Sequence, residues 1–312
     1  MNDWALAIDV GGTKLAAARV RADGSVQVRA RRPTPDTTEA ENIWQALVSL
    51  ISDVTGGDEP DRVGVGCGGP MRWPDGEVSP LNIPAWRGFP LRRRLEERYP
   101  RALVRVHNDA VAMAVGEHWR GAGRGSAHFL GVVVSTGVGG GLVLDNHVVN
   151  GRSGNAGHVG HVVVDAAGPP CACGGTGCLE AIARGPAIVA WAQQQGWQPG
   201  NGTASGVALA ESAREGNAIA TAAFDRAGQA LGIALASVVA TLDLDTVAIG
   251  GGLANAGELL STPTKAAFNR HARLDFSRRC RITLAELAGD AGLVGAAAFV
   301  LEPEHYWATE AD

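Results

Sequence analysis

The chain has 312 residues, a formal net charge of −5, 46% hydrophobic residues and five cysteines. That length suffices for about two domains, each with its own core, and the acidic balance excludes non-specific nucleic-acid binding, which draws its affinity from lysine and arginine on phosphates. An odd cysteine count with no secretory signal points to a reducing, cytoplasmic setting, and no apolar run, Ala230 to Leu242 included, is long enough to cross a membrane.

Trp4 to Ile8 reads as a short buried strand that ends in Asp9-Val10-Gly11-Gly12-Thr13-Lys14. The backbone donors of Gly11 and Gly12, with Thr13 and Lys14, suit a phosphate chain, and Asp9 suits the neighbourhood of its magnesium. A hairpin turn that merely needs glycine is the alternative, and the spacing of a P-loop is missing. A second strand runs from Lys14 to Val20 and turns at Asp23-Gly24. Glu39 to Val54 is predicted helical, Arg62 to Gly66 a strand, Leu91 to Tyr99 a helix with a charged solvent face, and Ala102 to His107 a strand.

Two loops lie among these elements. Gly66-Cys67-Gly68-Gly69-Pro70 closes a strand, where Gly69 would let backbone approach a ring, and Asn82 would add a side-chain contact. Trp86 either stacks on a sugar face or packs as an ordinary core tryptophan. Asn108-Asp109 follows a strand and opens the helix Ala110 to His118. Either residue could be a helix cap; the functional reading makes Asp109 the acceptor of a proton from a substrate hydroxyl as it attacks phosphorus. The sequence offers no partner for His107, His118 or His271.

The second half repeats the first in pattern: a strand from Phe129 to Val134, the run Ser135-Thr136-Gly137-Val138-Gly139-Gly140-Gly141, a strand from Leu142 to Leu144, and a turn at Asp145-Asn146. Asn217 to Thr241 reads as a long helix, followed by the strand Thr246 to Ile249 and Gly250-Gly251-Gly252. Thr136, Gly137, Gly251 and Gly252 are therefore candidate nucleotide contacts. Between these elements, His161, Cys171, Cys173 and Cys178 supply one imidazole and three thiolates. That closed set leaves tetrahedral zinc no open position, so the expected metal is structural and would hold His158 and Glu180 where a small ligand is gripped. Strands alternating with helices in two repeats imply an α/β fold of two domains, with ligands expected in a cleft between them. The expected domains are 1–108 plus 290–312, and 109–289.

Taken together, Asp9-x-Gly-Gly-Thr-Lys, Asn108-Asp109-Ala110, Thr136-Gly-x-Gly-Gly-Gly, the run from Gly160-His161 to Cys178-x-Glu180, Ile249-Gly-Gly-Gly and Ala291-Gly-Leu-Val-Gly-Ala-Ala-Ala resemble the ROK family of bacterial sugar kinases and sugar-responsive repressors. The resemblance implies an actin-like (ribonuclease H-like) two-domain fold, Mg2+ with ATP, structural Zn2+, a homodimer, and phosphoryl transfer to a hexose, usually at its 6-hydroxyl. By motif, Asp109 resembles the family's catalytic base, and Asn108, His161 and Glu180 its sugar-binding positions. Family repressors carry an N-terminal winged helix-turn-helix that has no counterpart ahead of Asp9, which favours the kinase over a repressor; a non-catalytic sugar-binding sensor of the family is the alternative reading. One departure stands out: His158 occupies the place where most family kinases have glutamate. The expected substrate is thereby widened from glucose to an amino-hexose or another modified hexose.

Overall fold

The first sheet is laid down by two hairpins and two crossovers. In the computed structural model, which describes residues 3–200 and 202–307, β1 (Trp4–Val10), β2 (Lys14–Arg21) and β3 (Val26–Pro33) pair antiparallel. Helix α1 (Ala40–Thr55) returns the chain to β4 (Arg62–Cys67), parallel to β1. A short hairpin of β5 (Met71–Arg72) and β6 (Glu77–Val78) and helix α2 (Leu91–Arg98) lead to β7 (Leu103–Asn108), parallel to β4. Helix α3 (Asp109–Arg120) starts on the next residue. The sheet order is β3-β2-β1-β4-β7.

The side-chain alternation of β1 sorts its two faces by size. Trp4, Leu6, Ile8 and Val10 enter one core with Ile43, Trp44, Leu47 and Leu50 of α1, while Ala5 and Ala7 meet a thinner layer built with Leu293, Ala296 and Ala297. Period-two alternation puts large residues on one face and alanines on the other, which lets a helix lie close on the second face.

The second sheet repeats the first. Strands β8 (Phe129–Val134), β9 (Val138–Leu144) and β10 (His147–Val148) are followed by α4 (Leu179–Ala183), α5 (Gly185–Gln194), α6 (Gly206–Arg214) and α7 (Ala218–Leu242). Strand β11 (Thr246–Gly250), α8 (Glu258–His271) and β12 (Arg281–Leu284) complete it. Its order, β10-β9-β8-β11-β12, is the order of the first sheet, so the repeat read in the sequence is a repeat of topology. The turn of the second sheet holds Asp145 and Asn146 at φ 51° and 63°, the left-handed geometry that tight hairpins require. One element differs from the sequence reading: β9 begins at Val138, so Gly139, Gly140 and Gly141 are strand residues and the loop shrinks to 135–137. The α7 reading is matched within one residue, with Asn217 as its cap.

The chain ends in α9 (Ala291–Leu301) and α10 (Pro303–Tyr306). Helix α9 packs on α3, β1 and β4. A Cβ on Gly295 would collide with the carbonyl oxygen of Ala112, and one on Gly116 with that of Ala291, so the two helices touch backbone to backbone. By their contacts the residues form two units, Met1–Gly125 with Gly141–Ala156 and Gly289–Asp312, and Ser126–Gly140 with Gly157–Ala288. Helix α3 and the segment Gly141–Ala156 thus count with the first unit. Among the described residues no helix is long and apolar enough to cross a membrane.

Candidate active site

In the first unit the carboxyl ends of three parallel strands bring the polar residues together. The register aligns Asp9 with Gly66 and Gly66 with His107, then Val10 with Cys67 and Cys67 with Asn108. Asp9, Gly68, Gly69, Asn108 and Asp109 therefore share one end of the sheet. Asn82 joins them from the 79–88 loop: a Cβ on Gly12 would strike the Asn82 side chain, and Leu81 N donates to Gly69 O at 3.1 Å. Glycine at position 12 is what allows that approach.

Asn108 is both the last strand residue and a helix cap. Its Oδ1 accepts from Ala110 N at 2.9 Å and Val111 N at 3.4 Å, so the side chain presents its Nδ2, which lies 3.3 Å from a Cβ built on Gly69. The capping role and a remaining donor coexist in one amide, with the side-chain oxygen taken by the helix. Asp109 is similarly half committed. Its Oδ1 accepts from Ala110 N at 2.9 Å, and its Oδ2 lies 3.9 Å from a Cβ built on Gly68, leaving that oxygen as the one facing the glycine loop.

Dense packing around these carboxyls shifts their protonation. Burial pushes Asp109 above the usual carboxylate range, against the pull of the Ala110 amide. Asp9 is pushed up to about 6, by burial first and by the charge of Asp109 second, with Lys14 and Arg31 pulling the other way. Two carboxyls raised by burial at one end of a sheet mark that end as a candidate functional site. In the 9–14 loop, Gly11 N donates to Lys14 O at 3.0 Å, so that amide closes the turn, while Gly12, Thr13 and Lys14 are exposed.

Trp86 belongs to the core. It is fully buried, stacks on Phe89 at 4.2 Å between centroids, and donates from Nε1 to Ala40 O at 3.1 Å. Of the two readings open for it in the sequence, packing is the one realised.

In the second unit, β8 and β11 run parallel and end together, with Val133 opposite Gly250. The loops that follow touch: a Cβ on Gly252 would lie 3.3 Å from Ser135 Oγ. Beside them opens a cavity of about 550 Å³ lined by Ser135, Thr136 and Gly252 and walled by apolar residues such as Pro186 and Val189 of α5 and Val207 of α6. Mostly apolar walls with a few polar groups are the usual make-up of a small-molecule site. Sequence reasoning missed α5 and α6. Their signals were present in Pro186 at a helix start and Ser205, whose hydroxyl accepts from Ala208 N at 3.2 Å.

The cysteine loop of the same unit is closed and pinned. Leu179 N donates to Val162 O at 2.9 Å and Cys171 N to Gly175 O at 2.8 Å. The four ligand atoms of His161, Cys171, Cys173 and Cys178 lie within 4.8 Å of one another. With a zinc–sulfur bond of about 2.3 Å, ligands on a tetrahedron stand about 3.8 Å apart. Cys173 Sγ and Cys178 Sγ are 3.7 Å apart, and Cys171 Sγ and His161 Nδ1 3.8 Å, so these two separations match a tetrahedral ion, with Nδ1 the imidazole nitrogen turned toward Cys171. Nε2 of His161 is then left for another partner. Glu180 follows two residues after Cys178, and its Oε2 accepts from Val138 N at 2.8 Å, which ties the cysteine loop to the strand after Gly137. The rings of His158 and His161 lie nearly parallel, 14° and 6.4 Å apart.

The model of the ROK family matches residues 5–303. A glucokinase of Thermotoga maritima is 33% identical across 95% of this chain and 97% of that protein. An N-acetylmannosamine kinase of Haemophilus influenzae is 35% identical across 95% of this chain and 94% of that protein. Among solved structures, a ROK family glucokinase from Streptomyces griseus in complex with glucose and AMPPNP superposes with a TM-score of 0.83 at 32% identity, covering 96% of this chain and 99% of that one.

The raised Asp9 carboxyl gives a stability prediction. A group whose folded pKa is about 6 against about 3.9 unfolded holds its proton longer when folded, so its contribution favours folding below that window and is lost as pH rises through 6. Asp9→Asn should therefore be more stable than the parent at pH 8, by about 1–3 kcal/mol in urea titrations, with little gain at pH 4. Equal stability at pH 8 would contradict the buried-carboxylate account.

Proposed function

The chain belongs to the ROK family as an ATP-dependent sugar kinase, and we propose that it transfers the γ-phosphoryl group to the 6-hydroxyl of a hexose or hexose derivative with Asp109 as general base. The single observation that carries this assignment is the division of labour in the Asp109 carboxyl: Oδ1 is held by the Ala110 amide, and Oδ2 faces the Gly68 loop with a basicity raised by burial. A base of that kind takes the hydroxyl proton as the oxygen attacks phosphorus, a contribution of about 10²- to 10⁴-fold.

Around it, the Asn108 Nδ2 donates to a neighbouring sugar oxygen, Asn82 adds a second contact, and Gly69 lets the ring approach the backbone. Glu180 and the Nε2 of His161 serve further hydroxyls. The nucleoside of ATP suits the cavity beside Thr136 and Gly252, whose volume of about 550 Å³ is in the range of ligand pockets. Gly12, Thr13, Lys14, Gly137 and Gly251 serve its phosphates. Magnesium, when bound with ATP, neutralises phosphate charge; the mutual repulsion of Asp9 and Asp109 suits a cation beside Asp9. Exclusion of water by ordered neighbours favours the sugar over hydrolysis.

A structural zinc at His161, Cys171, Cys173 and Cys178 is supported by the tetrahedral spacing of the donors. It would hold Glu180 and His161 in place without taking part in transfer. The relatives include both glucokinases and N-acetylmannosamine kinases, which fits a hexose substrate and leaves room for an amino-hexose or another modified hexose, the widening expected from His158. A homodimer completes the reading.

Three measurements test these proposals. In a coupled ADP-release assay across hexoses and amino-hexoses, Asp109→Asn should lose about 10²- to 10⁴-fold in kcat while sugar binding by calorimetry persists; parental turnover in that variant would dismiss Asp109 as base. Metal analysis of the purified protein should find one zinc per chain, released when the protein is unfolded in chelator; a metal-free folded protein would remove the zinc. On the same sugar panel His158→Glu should shift preference toward glucose, and an unchanged ranking with glucose already far ahead would defeat the modified-hexose reading.

A further inference from the structure

His107 precedes the Asn108–Asp109 pair, is completely buried, and takes no part in the chemistry described above. Its imidazole makes two hydrogen bonds. Nδ1 accepts from Asn108 N at 2.7 Å, and Nε2 pairs with Asn150 Oδ1 at 2.8 Å. Because Nδ1 is an acceptor, the proton must sit on Nε2, and the carbonyl oxygen of Asn150 holds that tautomer. Rings of Trp73, Phe299 and Trp307 surround the imidazole at 6.1, 5.5 and 6.0 Å between centroids. Burial among them pulls its pKa down to about 4, so the ring stays neutral.

The location explains why a bond to a backbone amide matters. Strand β7 is the edge of its sheet, and an edge has amides that no further strand satisfies. Capturing the Asn108 amide keeps that residue extended, at ψ 143°, up to the point where the helix begins. An extended backbone at that position is what a helix cap requires, because it aims the side-chain oxygen at the first free amides of the helix. Asn108 does so, and Asp109 follows as the first helical residue with its Oδ1 on Ala110 N. A doubly protonated His107 would set an N–H against the Asn108 N–H and break this chain of contacts.

Asn150 carries a second sign of purpose. It is buried, and its Nδ2 has no hydrogen-bond partner among the described residues. An unsatisfied buried donor is a penalty that an apolar residue would avoid, and departures of this kind cluster where function requires them. What Asn150 gains in exchange is the acceptor that fixes the His107 tautomer.

We propose that His107, held in its Nε2–H tautomer by Asn150, is a positioning residue that fixes the Asn108–Asp109 junction and so aims the Asp109 carboxylate. The role rests on the reading of Asp109 as the base. It concerns geometry in the transition state more than binding of either substrate, so it should appear in kcat.

The test uses the sugar-dependent ADP-release assay with His107→Phe, His107→Asn and Asn150→Leu, together with melting temperatures. Phenylalanine fills the aromatic pocket and removes both bonds; asparagine leaves a gap and restores an acceptor at the Nδ1 position. His107→Phe should lose about 10- to 100-fold in kcat, the scale of a small misplacement of a catalytic group, with the KM for ATP unchanged. His107→Asn should recover to within about threefold of the parent although it melts below the phenylalanine variant, a split between rate and stability that packing alone does not produce. Asn150→Leu, which trades the unpaired Asn150 donor for an unpaired His107 Nε2–H, should melt close to the parent and still lose kcat. Activity that follows melting temperature across the variants, or parental kcat in Asn150→Leu, would overturn the role of His107 alone. A parent protein without sugar-dependent ADP release would remove the Asp109 reading and this role with it.

Discussion

The first unit depends on a strand that becomes a helix with no residue between them. Asn108 closes β7 and caps α3, and Asp109 is already helical. A loop at this point would give the carboxylate several orientations; a direct junction gives it one, because the strand register fixes where Asn108 stands and the cap fixes where the helix starts. The same junction sets the charge of Asp109 against Asp9, two strands away in the sheet order, and adds to the rise that burial gives the Asp9 carboxyl, while burial alone raises Asp109. The site therefore carries an electrostatic burden that a fold selected only for stability would discard.

Packing behind the junction keeps it rigid. Helix α9 meets α3 at Gly116 and Gly295, where the backbones come into contact, and the alanine face of β1 completes that layer. Small residues convert side-chain volume into close approach, which limits how far α3 can rock. In the second unit the pinned cysteine loop plays the equivalent part, because Glu180 reaches from it to the Val138 amide. Each unit thus anchors its polar residues to regular structure, the arrangement that preorganised sites need.

The sequence made much of this visible. Strand and helix positions followed from periodicity, the shared topology of the sheets followed from two strand–glycine–strand patterns, and the motifs led to the ROK family and to a sugar kinase. The four candidate metal-ligating residues were legible because thiolates and imidazole at short spacing have few other uses. Other features were hidden for physical reasons. The glycines at 139–141 look like a loop in one dimension and are strand residues in three, Gly141 lying against Val111 and Ala114 of α3. Helices α5 and α6 are short and rich in alanine, and each buries only three residues, Ile188, Val189 and Ala192 in α5 and Leu209, Ala210 and Ala213 in α6, too few turns for the period to stand out. The partner of His107 is 43 residues away at Asn150, a distance over which spacing carries no information.

The most direct measurement of the central claim is a crystal structure with a phosphorylatable hexose and a non-hydrolysable ATP analogue bound together. The account predicts Asp109 Oδ2 within about 2.6–3.2 Å of the hydroxyl that receives the phosphoryl group, with Oδ1 still on the Ala110 amide. A hydroxyl bonded to a different base, or an Asp109 carboxylate turned away from the sugar, would contradict it.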